Sequence, residues 1–188
     1  MRVVVWVAEP GWPAAVDAAN QIAGPDADVE LVHVVDDTQE VVHGAFAGLF
    51  GRGQHVPATV DQQAMTTAQE LLDAAATRLA GDGDSRAQPR AGRDIRQGRV
   101  EREVVAAAEH ADLLVLSRDG DGSRLGPRSL GAAGRFIVDH APCPVLLVWP
   151  GTAPEVQTIP PSPRHPPEHP PGHPPGHPPG HPGQPPPH

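Results

Sequence analysis

Short apolar runs separated by longer amphipathic stretches set the rhythm of this chain. Residues 3–7, 29–35, 113–116 and 145–148 are almost continuous in Val, Leu and Trp, the pattern of strands in a parallel sheet covered on both faces. Between them, apolar positions recur at helical spacing over about 12–23, 60–80, 99–110 and 129–140. This β-α-β-α alternation predicts an α/β fold, a five-stranded parallel sheet with helices on both faces. Leu114 is expected at its centre, fully buried. The fifth strand, Arg90 to Arg96, has Ile95 as its only large apolar residue and is crowded by Pro89, Gly92 and Gly98, so it belongs at an edge. Val145 to Trp149 is expected at the other edge.

Strand, loop, helix and strand follow one another without interruption from Ala111 to Trp149. Leu113 to Leu116 is bounded by Asp112 and Ser117, and Ser129 to His140 places Leu130, Ala133, Ile137 and Val138 near helical spacing. Ligands of such units sit beyond the strand C-termini. The loop Arg118 to Arg128, with Gly120, Gly122 and Gly126, lies at that edge. It leads into a helix N-terminus, whose free N–H groups suit phosphate.

This segment resembles the universal stress protein family, which pairs a Gly-x2-Gly-x9-Gly-Ser/Thr loop with a helix and an Ala-Pro-Cys-Pro-Val strand entry. His140-Ala141-Pro142-Cys143-Pro144-Val145 carries the latter motif. Ala27 to Val35, with its His33-Val34 pair, is similar to the family's second strand, Arg2 to Val7 to its first, and Gly98 to Val105 to the start of its third helix. The likeness spans residues 1 to about 150. It implies a Rossmann-type, adenine nucleotide alpha hydrolase-like fold, a stress-response role and an ATP site formed by Ala8, Glu9, Val35, Ser117, Gly120, Gly131 and Ala132.

Several of these positions depart from the family pattern. Counting back past nine intervening residues from Gly131 lands on Asp121; one inserted residue makes Gly120 the second glycine and leaves Ser117 in place of the first. Ala132 supplies no hydroxyl, and Ala8-Glu9-Pro10 stands where the family ends its first strand in Val-Asp. Asp119 and Asp121 add negative charge, each costing about 4 kcal/mol at about 4 Å from a phosphate charge at an effective dielectric of about 20. Arg118, Arg124 and Arg128 can offset it. The balance predicts weakened nucleotide binding.

Composition divides the chain into a domain over residues 1–150 and a tail over 151–188. The tail holds 16 of the 25 prolines and few apolar side chains, so it cannot offset its ordering entropy and is expected disordered. His165, His169, His173, His177, His181 and His188 punctuate it. Neutral imidazoles take Ni²⁺, Cu²⁺ or Zn²⁺, which leaves a metal-binding accessory protein as the alternative function. Polyproline geometry argues against a preformed chelate, because it sets successive histidines roughly 12 Å apart.

The net charge of −9 and the absence of Tyr argue against nucleic-acid binding. The first strand is too short for a signal core or membrane span, so a cytoplasmic protein without a membrane partner is expected. Cys143 cannot form an internal disulfide and reads as a packed thiol. His33 and His110 read as structural. Residues 36–57, with the apolar Val41 to Phe50, suggest a segment over the crevice or against a partner chain. No nucleophile elbow, Walker lysine or paired carboxylates are present. The expectation is a non-enzymatic regulatory module, homodimeric, with unknown clients.

Overall fold

The computed structural model describes residues 1–36, 58–81 and 89–161. Strands β1 (Arg2–Trp6), β2 (Asp28–Asp36), β3 (Arg90–Gly98), β4 (Leu113–Ser117) and β5 (Val145–Val148) form one sheet in the order β3-β2-β1-β4-β5. Every neighbouring pair is parallel. Helices α1 (Trp12–Ile22), α2 (Ala58–Ala80), α3 (Val100–Ala107) and α4 (Ala132–His140) connect them.

Alternation along the strands sorts the core into two layers. Val3, Val5 and Val7 of the first strand segment pack with Ala15, Val16 and Ala19 of α1 and Leu72, Ala75, Ala76 and Leu79 of α2. Val4 and Trp6 pack on the other face with Val104 and Ala107 of α3 and Ile137 of α4. The helices therefore cover both faces, as the hydrophobic rhythm predicts. Leu114 is completely buried between β1 and β5.

Several boundaries shift for local reasons. Pro13 in the first turn of α1 suits a position where no N–H bond is needed. The helix expected from Ser129 begins at Ala132, because Pro127–Ser129 forms a 3-10 turn and Gly131 is extended. Ile137 is buried there, but Val138, expected on the same face, is exposed. One residue turns a helix by about 100°, enough to leave the apolar stripe. The third helix stops at Ala107, short of His110, which takes a left-handed φ of 66° in the turn before β4.

The strand expected at Arg90 to Arg96 is real and, among the described residues, pairs with β2 alone, so it is an edge. Beyond Pro150 the chain stays on the domain for eleven more residues. Val156–Thr158 forms a 3-10 turn, and the Thr158 hydroxyl accepts a hydrogen bond from the Leu125 N–H at 3.0 Å. The tail histidines 165–188 and the segment 37–57 lie outside the described residues. Among the described residues, no helix is long and apolar enough to cross a membrane.

Candidate functional site

The strand order reverses between β1 and β4, because the chain runs outward from β1 through β2 to β3 before returning to β4. Such a switch point opens a crevice at the carboxyl ends of the strands. Ala8 and Glu9 leave β1 on this edge, Ser117 ends β4, Gly131 precedes α4 and Ala132 is its first residue. Val35 lies near the end of β2.

Gly11 packs so closely on Ser117 that a Cβ there would collide with the Ser117 hydroxyl. Backbone thus fills part of the switch point. Ala8 and Glu9 line a cavity of about 310 Å³ together with Trp6, His33, Val34, Leu71 and Val100. Val35 faces a neighbouring hollow of about 440 Å³ with Asp36, Gln63 and Thr67. His33 Nδ1 lies 2.8 Å from the Val7 carbonyl oxygen, which ties β2 to the end of β1 and fits a structural role.

Asp119 settles where a phosphate would be sought. Its carboxylate accepts hydrogen bonds from the Gly131 N–H at 2.7 Å and the Gly134 N–H at 3.0 Å. The negative group sits against the positive end of α4, where charge-assisted bonds are strong. A Cβ on Gly131 would stand 2.7 Å from a carboxylate oxygen, and one on Gly134 would also collide. Both glycines are therefore needed for this seat.

The rest of the loop closes on itself. Gly120 N–H donates to the Ser129 carbonyl at 3.1 Å and Asp121 N–H to the Arg128 carbonyl at 2.8 Å. Asp121 accepts from the Ser123 N–H and hydroxyl, and these bonds hold its carboxyl below the usual range. It thus serves its own turn. Arg118 donates to the buried Ser129 hydroxyl, and its guanidinium lies 4.6 Å from the Trp149 ring. Its Nε is buried without a partner among the described residues. Arg124 pairs with Asp121 at 3.4 Å. Two of the three arginines expected to offset the acids are therefore engaged within the loop.

Sequence reasoning placed Asp119 in the loop but missed its seat on α4, because twelve residues separate it from Gly131 and no local motif marks the contact. Leu71 and Val100 were also missed as lining, since each reads as ordinary core. Glu101 and Glu103 pair with Arg99 at 2.6 Å and Arg96 at 3.6 Å. Cys143 packs beside the α3/α4 layer, and burial pushes its thiol up. Among the described residues, no group of three His, Cys, Asp or Glu is placed to hold a metal ion.

Residues 1–148 match the universal stress protein family, and the chain belongs to that family. Solved structures share the fold. A universal stress protein from Lactobacillus plantarum superposes with a TM-score of 0.53 at 22% identity, covering 79% of this chain and 97% of its own. One from Archaeoglobus fulgidus gives 0.51 at 18%, covering 79% and 98%. A universal stress protein in complex with cAMP gives 0.55 at 19%, covering 80% and 98%. No curated protein matches the sequence.

Proposed function

We propose that this member of the universal stress protein family is a cytoplasmic regulatory module that acts by binding rather than catalysis, as a homodimer, with a weakened nucleotide site. The observation that carries this reading is the Asp119 carboxylate on the two glycine N–H groups at the start of α4, donors a nucleotide phosphate would need. Ala132, next to them, brings no hydroxyl. The half-buried apolar strand β5 at the sheet edge supports pairing with a second copy.

Calorimetric titration of the full chain with ATP tests the reading. The expected dissociation constant is about 1 mM or weaker, and one near about 1 μM would refute it. The histidine repeat keeps the metal-binding alternative open. Its test compares Ni²⁺ binding by the full chain and by residues 1–161, a cut that spares the Thr158 contact to Leu125. A saturable site lost on truncation, and tighter than that of the isolated tail peptide, would favour the alternative. Equal, weak affinity in chain and peptide would remove it.

A further inference from the structure

We infer that the segment 155–160 is a releasable latch on the loop Arg118 to Arg128, and that its seating decides how readily the tip of that loop opens. The match to the family ends at residue 148, yet the chain beyond it reaches the loop tip through Thr158 and Pro160. The base of the loop is closed by its own backbone, Gly120 N–H to the Ser129 carbonyl and Asp121 N–H to the Arg128 carbonyl. The tip is held from outside. There the Leu125 N–H donates to the Thr158 hydroxyl oxygen at 3.0 Å, 33 residues further along the chain.

The local chemistry of the segment prepares this contact. The Thr158 hydroxyl gives its one hydrogen to the Glu155 carbonyl at 2.6 Å, and the Thr158 N–H reaches the same oxygen at 2.9 Å. A hydroxyl so committed presents a lone pair to the loop. Pro160 disfavours a helical Ile159, which is extended at φ −61° and ψ 121°, and carries the chain onto Gly126. A Cβ on Gly126 would stand 3.7 Å from the Pro160 ring, and the glycine takes a φ of 127° that other residues rarely adopt. Pro160 thereby walls a hollow of about 350 Å³ with Arg124, Leu125, Pro127 and Arg128. The apolar side chains of the segment contribute little, since Val156 and Ile159 are 70% and 53% exposed. A contact resting on one neutral hydrogen bond and one ring opens at small cost while the core stays folded.

The test measures hydrogen exchange at the Leu125 amide and tryptic cleavage of the Arg124–Leu125 and Arg128–Ser129 bonds in the full chain. The Arg78–Leu79 bond of α2, where Leu79 is buried, reports opening of the whole domain. Thr158→Val keeps the side-chain shape and loses the hydroxyl, so exchange and loop cleavage should rise about twofold to tenfold, the range of one neutral hydrogen bond, with cleavage at Arg78 unmoved. Thr158→Ser keeps the hydroxyl and should return both to the wild-type rates. Pro160→Gly removes the ring from Gly126 and should move them in the same direction as the valine variant; it also serves if that variant does not fold. Unchanged exchange and loop cleavage in folded variants overturns the latch. A rise shared equally by the Arg78–Leu79 bond overturns it too, because Thr158 would then support the whole domain rather than the loop. A serine variant that behaves like the valine variant overturns the role of the hydroxyl.

Discussion

The two edges of the sheet are built from opposite materials. β3 carries Arg90, Arg93, Asp94 and Arg96, each in an ion pair: Arg90 to Asp28 at 3.8 Å, Arg93 to Asp73 at 2.9 Å, and Arg96 to Asp94 at 2.7 Å. β5 is Val145-Leu146-Leu147-Val148, half-buried throughout. A charged edge resists pairing with another chain, while an apolar one invites it. The difference teaches that two edges of one sheet can be given different fates by side chains alone. β3 is lined by paired charges, whereas β5 presents an apolar edge.

The centre of the sheet calibrates both edges and carries the largest expected effect. Leu114→Ala should cost about 2–5 kcal/mol in denaturant unfolding, from lost transfer energy and a cavity. A loss below about 1 kcal/mol would break the contrast between centre and edge.

At β5 the expected readout is assembly. Leu146 packs toward the α1/α2 layer and Leu147 toward the α3/α4 layer, so Leu146→Lys and Leu147→Lys probe both faces. At least one should halve the mass seen by light scattering. If neither does, pairing through this edge is wrong.

At β3 the effect should be small. The Arg96 and Asp94 side chains keep 27% and 28% of their surface exposed, and such pairs contribute about 0–1 kcal/mol. Arg96→Ala should stay within that range and leave the mass unchanged. A change in mass would transfer the interface from β5 to β3.

Titration gives the finest distinction. Burial raises the Cys143 thiol, so the folded chain holds its proton more firmly than the unfolded one. The contribution is fully present below the ordinary thiol range of about 8.5 and fades as pH rises through the higher folded value. Cys143→Ala should flatten that alkaline loss in pH-dependent melting. Asp121 runs the other way: its lowered value makes its contribution present above the unfolded carboxylate range of about 3.9, and lost as pH falls through the folded value. Asp121→Gly should remove that acid component and leave ATP affinity unchanged, because this carboxylate faces Ser123.

Much of the fold was legible from the chain. The run Leu113 to Leu116, expected at the centre of the sheet, lies between two strands, and the run Val145 to Val148, expected at an edge, ends the sheet order among the described residues. The site was less legible. Its positions were countable along the loop, whereas the seat of Asp119, the stacking of Arg118 on Trp149 and the packing of Gly11 on Ser117 join residues far apart in the chain.

By itself, the sequence determined the element types, the two-faced core and the family, because strand and helix periodicities and the motif around Cys143 are local properties of the chain. Only the tertiary structure decided which acid meets α4. Asp119 and Asp121 are equivalent by composition, two residues apart in one loop. Closure of that loop through Gly120 and Ser129 puts one carboxylate on the helix end and turns the other to its own serine. Local preference sets what a segment becomes; a hydrogen bond between distant segments exists only once the chain has folded to bring donor and acceptor within about 3 Å.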